Sequence, residues 1–427
     1  MTKDGGILQL VAVGKQDVFL TGNPQVSWFR QVYRRYTNFA VESKRMYFDG
    51  TPDFGQRLSC LVPRAGDLLG RTYLEIELPQ LTYIDGSPAA YVNSVGHALI
   101  KEISIQIGEQ EIDKQTGEFM QLNYQLTTGV DKQDAYRQMI GEVDGFPIDG
   151  LAGPLSLTIP LQFWFNKSPG LYLPLLALQY HPVRINIQLR PLRELVYLDE
   201  SHYSYTCNDT IPVQPASITK MSMWGDYTYL DVEERRRFVS TPLEYLITQV
   251  QYTPKTFITA TASTSNIEIN FNHPLKEFIW VLQRNFSAVR NEHFNYSNLG
   301  YNEPASANGY RTDMYVDATF QLDGQDRFDK RGARYFTLTQ PFEHHTAVPY
   351  RYYINNYCFA LNPEDAQPSG SMNASRIDSI KLVMTVNNTV ADYSSVNGRG
   401  EVYCTVYGIN NNVLRIVDGF GGVMFSV

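Results

Sequence analysis

Short segments in which apolar and polar residues alternate recur along the chain, and they constrain the fold more than any other feature. In TYLEIEL, the apolar residues Leu74, Ile76 and Leu78 fall on one face of an extended segment. EISIQIG, VRINIQL, NIEINF and IKLVMTV repeat the pattern, and turn-forming clusters such as FDGTPDFG and NPEDAQPSG lie between strands. A period of two is typical of half-buried strands. We therefore predict an all-β protein built of sandwiches rather than of βαβ units.

Two internal similarities indicate a duplicated β-domain. IGEQEIDKQTGEF resembles DGQDRFDKRGARYF, so that Gly108 matches Gly324 and Asp113 matches Asp329 at a constant offset of 216 residues. FWFNKSPG before the segment VRINIQL is matched more loosely by FALNPEDAQPSG before IKLVMTV. Together they favour two similar domains. The predicted limits are an N-terminal arm and helix over 1–36, a first domain over 37–230, a linker over 231–241 and a second domain over 242–427.

The charge balance disfavours several classes of protein. Charged residues make up 19% of the 427 residues, and the formal net charge is -8. A general nucleic-acid or anionic-membrane binder needs a broad positive field, which this balance does not provide. The start MTKDGGILQL lacks the pattern of a secretory signal, and no apolar run approaches the roughly 18 residues of a spanning helix. We expect a soluble protein made in the cytosol.

Residues typical of catalysis or metal binding are scattered. The cysteines lack framework or metal-ligand spacing, and we predict that they are buried free thiols: Cys60, Cys207, Cys358 and Cys404. His344 and His345 are neighbours, and we expect them in a surface loop and not in a metal site. Adjacent strand residues point to opposite faces, so a shared metal would need a loop geometry that the sequence does not indicate. The Asp323–Gly324 pair is typical of a turn between strands. We predict that the chain is not an enzyme and has no cofactor.

The segment QDVFLTGNPQVSWFRQVYRRYTNFAVES is basic and aromatic within an acidic chain. Asn23 is suited to cap a helix, and Pro24 is suited to its first position, so we predict an amphipathic helix that docks onto a partner. The candidate docking residues are Trp28, Phe29, Arg30, Tyr33, Arg34 and Arg35. Nucleic-acid binding is the alternative, because arginines hold phosphates and aromatic rings stack on bases.

Two stretches lack alternation, at 116–143 and 285–312. The first is predicted to contain short helices or a long loop, and we expect both stretches to lie at the surface and to tolerate change. Asn-X-Ser/Thr sequons provide candidate glycosylation sites at Asn208, Asn285, Asn295, Asn373 and Asn387. Because no secretory signal is evident, ordinary glycosylation of these residues is not expected.

GGILQLVAVGKQDVFLTGNPQVSWFRQVYRRYTNFAVES resembles the N-terminus of the major capsid proteins of nucleocytoplasmic large DNA viruses, such as chlorella viruses and iridoviruses. Further blocks resemble this family in the family's order: NKSPGLYLPLLALQYHPVRINIQL, WGDYTYLDVEERRRF, PLEYLI, NFNHPLKEFIW, LDGQDRF, QPSGSMNASRID and NVLRIVDGFGG. The likeness covers nearly the whole chain and departs mainly in the two stretches that lack alternation. It implies two tandem eight-stranded antiparallel jelly rolls, a double jelly roll, with a short N-terminal helix.

The resemblance also implies a function. Homotrimers would form pseudo-hexagonal capsomers that tile the icosahedral shell of a large DNA virus, with assembly in the host cytoplasm. The implied partners are the chain itself, neighbouring capsomers, minor capsid and penton proteins, and the inner viral membrane through the N-terminal segment, without direct sequence-specific nucleic acid binding. The alternatives are a tandem jelly-roll carbohydrate-binding protein, a cupin-like enzyme, which the missing histidine cluster disfavours, and a paralogous minor capsid component.

Overall fold

The computed structural model describes residues 5–84, 86, 88–143, 151–197, 213–259, 264–285, 287, 291–299, 312–386 and 401–426. The chain divides into two compact units, Met1–Asn38 and Phe39–Val427. The first unit contains the helices α1 (Gly5–Val11) and α2 (Lys15–Thr21). Among the described residues, no helix has the length and hydropathy needed to cross a membrane.

The N-terminal helical structure lies earlier than predicted. Residues 22–38 contain turns and irregular backbone, so the helix predicted to start at Asn23 is wrong. Asn23 has a positive φ of 51°, which a helix does not accommodate, and Gly22 ends α2 by donating its N–H to Val18 O at 2.8 Å. The following residues are rich in Val, Trp, Phe and Tyr, which form helices less readily than Ala or Leu. The described side chains of this first unit are exposed, so no packing offsets that deficit.

The first half of the second unit is a sandwich of two antiparallel sheets. Its strands are β1 (Phe39–Met46), β2 (Phe48–Asp49), β3 (Arg57–Leu61), β4 (Leu68–Leu78), β5 (Leu81–Thr82), β6 (Pro88–Tyr91), β7 (Ile100–Ile107), β8 (Gln110–Thr116), β9 (Leu151–Ala152), β10 (Leu155–Pro160), β11 (Leu173–Pro174), β12 (Val183–Leu189) and β13 (Lys220–Leu230). One sheet has the order β1-β13-β4-β10, with β11 beside β4, and the facing sheet has the order β2-β3-β12-β7-β8. The short strands β5, β6 and β9 form a separate sheet.

The second half is also a sandwich of two antiparallel sheets. Its strands are β14 (Leu243–Tyr252), β15 (Thr256–Thr259), β16 (Thr264–Ile269), β17 (Pro274–Arg284), β18 (Tyr315–Leu322), β19 (Gln325–Asp326), β20 (Arg331–Gly332), β21 (Asn355–Cys358), β22 (Met372–Asn373), β23 (Ile380–Val386), β24 (Glu401–Val417) and β25 (Phe420–Val423). One sheet has the order β14-β24-β17-β21, with β15 and β25 beside β24 and β22 beside β17. The other has the order β16-β23-β18-β19, with β20 beside β18.

The two halves share one strand order. The eight main strands are β1, β3, β4, β7, β8, β10, β12 and β13 in the first half, and β14, β16, β17, β18, β19, β21, β23 and β24 in the second. Numbered along the chain within each half, they pair as 1-8-3-6 in one sheet and 2-7-4-5 in the other. This is the arrangement of a jelly roll, and the predicted double jelly roll is confirmed.

The internal similarities coincide with equivalent places in the two jelly rolls. Gly108 and Gly324 have positive φ values of 64° and 79°, and each lies in the turn between the fourth and fifth strands of its half. The second pair of similar segments precedes the seventh strand of each half, β12 and β23. The predicted duplication is therefore confirmed. The helix α7 (Val232–Ser240) lies between β13 and β14, within the stretch assigned to the linker, while the domain limits themselves stay a prediction.

The remaining helices are α3 (Val95–Leu99), α4 (Gly117–Thr127), α5 (Val130–Ile140), α6 (Trp164–Lys167) and α8 (Gln340–His344), with short 3-10 turns at Pro169–Leu171, Leu192–Glu194 and Ala374–Arg376 and a π-helical turn at Tyr335–Thr339. Short helices between 116 and 143 are thus confirmed. α4 begins where the Thr116 hydroxyl accepts the Phe119 N–H at 3.2 Å. Its apolar residues, including Phe119 and Leu122, belong to the core, so the expected surface position is wrong for α4. α5 is mostly exposed.

Candidate functional site

The two jelly rolls are joined by polar contacts between β8 and β14. The Asp113 carboxylate accepts the Val250 N–H at 2.9 Å, and the Ile112 carbonyl accepts a hydrogen bond from the Gln249 amide. Burial raises the pKa of Asp113 to about 6, although hydrogen bonds from the Val250 N–H and the Gln115 amide favour its charged form. Apolar packing continues across the same junction, where the rings of Phe119 and Tyr407 lie 5.7 Å apart. A junction that is both packed and hydrogen-bonded fixes the orientation of one jelly roll against the other.

A second contact between the halves involves the last strand, β25. Val423 N–H donates to Gln110 Oε1 at 3.1 Å, and the rings of Tyr180 and Phe420 stack at 5.1 Å. Residues of both halves line the adjacent groove of about 840 Å³, including Gln110, Tyr180 and Gly421. The C-terminal strand of the second jelly roll therefore also clamps the first.

A third contact surrounds a buried ion pair. Burial opposes ionisation of Glu118, but the Arg190 guanidinium outweighs it and lowers the pKa of that carboxyl to about 2. The neighbouring turn is held from the second half, because Nε2 of His293 lies 2.6 Å from Glu194 O and Asn291 Nδ2 donates to Val196 O at 2.9 Å. Burial lowers the pKa of His293 to about 4, so its imidazole is neutral at pH 7. These contacts all favour one rigid arrangement of the two jelly rolls.

The residues predicted to dock are not gathered on a helix face. All of them are exposed and lie in the irregular stretch that follows α2: Trp28, Phe29, Arg30, Tyr33, Arg34 and Arg35. Trp28 is 90% exposed and Phe29 is 100% exposed. Single apolar residues on a surface are ordinary, but a run of exposed large aromatic side chains is typical of a segment that binds something else. The docking role of these residues stays a prediction.

The sequons occupy different environments. Asn208 and Asn387 lie outside the described residues. Asn285 is half-buried, directly after β17. Asn295 is 1% exposed and donates to Glu292 Oε2 at 2.7 Å, whereas Asn373 is exposed in β22. The side-chain amide of Asn373 is therefore accessible in the folded chain, whereas that of Asn295 is not. Glycosylation of the five candidate asparagines stays a prediction.

The described cysteines, Cys60, Cys358 and Cys404, are buried and free, as predicted, and Cys207 lies outside the described residues. Burial raises the pKa of the Cys60 thiol to about 12, and burial does the same for Cys358, so both are thiols at pH 7. The thiol of Cys358 has polar side chains beside it. Its Sγ donates to Asn356 Oδ1 at 3.0 Å.

His345 is buried, so its predicted place in a surface loop is wrong. It directly follows α8, and its side chain is 1% exposed. Nδ1 lies 3.0 Å from Glu364 Oε1, and Nε2 lies 2.9 Å from Glu277 Oε2. Burial lowers the pKa of this imidazole, but the Glu277 carboxylate and hydrogen bonds to its neighbours outweigh burial and raise it to about 12. His345 is therefore an imidazolium between two carboxylates.

Pairing of β17 with β21 brings Cys358 to the same place. Glu277 and Cys358 are directly opposite in this pairing, and Cys358 Sγ lies 3.8 Å from both Glu277 Oε2 and His345 Nε2. We call Glu277, His345 and Cys358 the buried triad. It is the one group of three potential metal-binding side chains that the described part of the chain brings this close together. His344 is not part of it, since its Nδ1 lies 2.9 Å from Leu361 O.

Two family models match the chain, and together they cover most of it. The model described as "Major capsid protein N-terminus" matches residues 27–231. The model described as "Large eukaryotic DNA virus major capsid protein" matches residues 234–422. The two matches meet at α7, between the two jelly rolls.

Individual proteins resemble the chain over its full length. The major capsid protein of Pyramimonas orientalis virus is 37% identical, and that of Paramecium bursaria Chlorella virus 1 is 35% identical; each alignment covers 99% of both proteins. A chain of the quasi-atomic model of the PBCV-1 virus capsid superposes with a TM-score of 0.75 at 30% identity, over 94% of this chain and 100% of that one. The structural superposition agrees with the double jelly roll described above. The chain belongs to the family of major capsid proteins of large eukaryotic DNA viruses.

Proposed function

We propose that the chain is a structural protein of the virion, the major building block of the capsid of a large DNA virus. The observation that carries the proposal is the pair of jelly rolls with one strand order, joined rigidly by the β8–β14 and β25 contacts. A shell protein needs rigid, flat-sided units that repeat, and it needs no catalysis. We infer that the chain is not an enzyme and acts through binding to further copies of itself.

We infer further that the functional unit is a homotrimer. Each chain supplies two lobes of similar architecture, so three chains supply six lobes around a threefold axis. A six-lobed trimer fills one position of a hexagonal lattice although it has only threefold symmetry, and such a lattice tiles the flat faces of an icosahedral shell. Closed threefold symmetry is also among the common symmetries of soluble oligomers.

The N-terminal residues 1–36 suit a separate role. Their exposed aromatic and basic side chains, among them Trp28 and Arg34, fit an acidic protein partner or the headgroups of an anionic membrane. We propose that this arm lies at the inner base of the capsomer, facing minor capsid proteins and the inner viral membrane, with assembly in the host cytoplasm. Sequence-specific binding to nucleic acid is not part of the proposal.

The oligomeric state is tested on the full chain by light scattering and electron microscopy. We expect a mass near three times the 48.7 kDa of one chain at micromolar concentration, and six-lobed particles in projection. Obligate interfaces commonly bury roughly 2,000 Å² or more, so the trimer should survive dilution. A mass of one chain, with no larger species, would contradict the proposal, and monomers that bind sugar on a glycan array would favour the carbohydrate-binding alternative.

The arm is tested by deleting residues 1–35, which end before β1 begins at Phe39. We expect folded trimers that fail to form complete shells with the other capsid components. Arg30, Arg34 and Arg35 changed together to Ala should weaken binding to anionic vesicles. The matched control removes three exposed charges elsewhere, from Arg71, Lys101 and Lys132.

The two triple variants separate docking from a general effect of charge. If both triple variants lost the same amount of binding to anionic vesicles, the arginines of the arm would have no special role in docking. Salt-sensitive DNA binding by the full chain, lost on deletion of the arm while shell assembly stays normal, would overturn the docking role in favour of nucleic-acid binding.

A further inference from the structure

The buried triad has the spacing of a metal site. His345 Nε2 and Glu277 Oε2 are 2.9 Å apart, and Cys358 Sγ is 3.8 Å from each of them. A point therefore exists about 2.1 Å from all three atoms, which matches Zn–N and Zn–O bonds of roughly 2.0–2.2 Å and is close to a Zn–S bond of roughly 2.3 Å. Small side-chain shifts would suffice to reach ligand geometry.

The surroundings of the triad resemble those that orient metal ligands. The second nitrogen of His345, Nδ1, lies 3.0 Å from Glu364 Oε1, as in the carboxylate–histidine–metal arrangement that fixes the ring and its tautomer. Asn356 Nδ2 donates to Glu277 Oε2 at 2.7 Å, so the carboxylate is also held. Glu364 is in turn fixed by the Thr346 N–H at 2.9 Å. Each carboxylate and the imidazole thus has a hydrogen-bonding partner beyond the triad.

Zinc binding at this place would release protons. The ion would replace the proton on His345 Nε2 and the proton on Cys358 Sγ, because zinc binds a neutral imidazole and a thiolate. Lys276 lies on the same strand as Glu277, and its Nζ donates to Asp365 O at 3.3 Å.

We propose that Glu277, His345 and Cys358 bind one zinc ion in the second jelly roll. The mixed sulfur, nitrogen and oxygen set suits zinc better than magnesium or calcium, which prefer oxygen alone. Asn356 Oδ1 or a water molecule completes four-coordination, since Oδ1 lies 3.0 Å from Cys358 Sγ. The ion is enclosed, because Glu277 is 4% and Cys358 is 9% exposed. Such a site is structural, and the metal enters as the jelly roll folds.

The experiment measures metal in the full chain produced in zinc-supplemented medium and passed over a chelating resin to remove surface ions. Mass spectrometry of the metal content should give about one zinc per chain. Cys358→Ser should lose most of it, whereas Cys404→Ser, the same change at another buried free cysteine, should retain it. Zinc that persists equally in both variants would overturn the proposal.

A second readout covers the case in which Cys358→Ser does not fold. The full chain and Cys404→Ser, produced with Co²⁺ in place of zinc, should show the near-ultraviolet charge-transfer band of a thiolate bound to cobalt. Folded trimers without that band, or without bound metal, would show that the triad is an ion pair with a neighbouring thiol and nothing more. His345→Gln should abolish the band while Cys60→Ser leaves it in place.

Discussion

The two jelly rolls reach the same strand order with different interiors. Between its sheets, the first packs mainly aliphatic side chains: Leu74, Ile76, Ile103, Ile105, Ile185 and Ile187. The second packs an aromatic cluster: Phe271, Phe278, Trp280, Phe320, Phe328, Phe336 and Tyr357. The shared order therefore does not depend on particular core residues. It follows from the alternation of apolar positions and from turns at equivalent places, while the volume of the core is filled differently each time.

One buried histidine from each half, His97 and His345, shows a second contrast. In the first half, His97 donates from Nδ1 to Gln121 Oε1 at 2.7 Å, and Nε2 lies 3.3 Å from the Tyr136 hydroxyl. Burial lowers the pKa of His97 to about 4, so it is neutral at pH 7. In the second half, His345 lies between Glu277 and Glu364 and is charged when no metal is bound. One fold thus accommodates a polar group in its core by neutralising it or by surrounding it with opposite charge.

The largest effect is expected where the aromatic core is removed. Trp280 is fully buried, and its ring contacts those of Phe320 and Phe336 at 5.4 and 5.1 Å. Trp280→Ala should lower the free energy of unfolding by about 3–5 kcal/mol, because it leaves a large cavity. Denaturant midpoints of purified protein measure this loss.

Trp280→Phe is the matched control. Nε1 of Trp280 has no hydrogen-bond partner among the described residues, so a benzene ring gives up no bond there. We expect a loss of roughly 1–2 kcal/mol from the reduced volume. If both variants cost the same small amount, the aromatic cluster would be no more important than its aliphatic counterpart.

An acid-dependent effect of intermediate size is expected in the first jelly roll. The pKa of His97 is about 4 in the folded state, below the ordinary value of 6.5 that applies to the unfolded chain, so the unfolded chain binds more protons between these limits. The contribution of neutral His97 is fully present above about pH 6.5 and is lost as the pH falls to 4, by about 3 kcal/mol in all. The Gln121 amide and the Tyr136 hydroxyl contact this ring, and the Gln121 amide donates in turn to Glu142 Oε2 at 3.1 Å.

Removal of the titrating group isolates this contribution. His97→Asn should flatten the decrease in unfolding free energy between pH 6.5 and 4 relative to the wild type, measured from denaturant midpoints at each pH. Other groups, such as Asp113, titrate in both proteins and cancel in the difference. Parallel curves for the two proteins would mean that His97 is not held neutral by burial.

The smallest effects on stability are expected at Gly108 and Gly324, the glycines in equivalent turns of the two jelly rolls. A Cβ at Gly324 would meet nothing within 4 Å, so Gly324→Ala should cost only the strain of a positive φ, about 1–2 kcal/mol. A Cβ at Gly108 would lie 3.0 Å from the ring of His181, so Gly108→Ala should cost more. Thermal unfolding of the two variants measures the difference. Equal losses would show that the ring moves aside freely.

Most of the fold was predictable from local pattern. The alternating segments around Ile76, Ile105 and Ile185 coincide with β4, β7 and β12, because one buried face imposes a period of two on a strand. The repeated turn glycines revealed the duplication. The helix predicted after Asn23 was wrong, because spacing alone suggested an amphipathic face although the residues favour helix weakly and the first unit offers no core to pack against.

The buried triad was not predictable from spacing. Glu277 is 68 residues before His345, and Cys358 follows 13 residues later, which matches no common ligand motif. Only the pairing of β17 with β21 and the end of α8 bring them together. Because His344 and His345 are adjacent, the same surface position was predicted for both. At the end of α8, however, the Glu343 side chain is exposed whereas the His345 side chain is buried.

The position of the eighth strand also determines when each jelly roll is able to form during synthesis. β13 and β24 are the last main strands of their halves, yet each lies inside its sheet, β13 between β1 and β4 and β24 between β14 and β17. Neither sandwich is able to close until that strand has left the ribosome, but the first is complete at Leu230. At 5–20 residues per second, the ribosome needs roughly 10–40 s more to reach the end of β24. During that interval the finished first jelly roll offers β8 as a surface that the emerging β14 is able to contact, through the Asp113–Val250 hydrogen bond, before its own sheet exists.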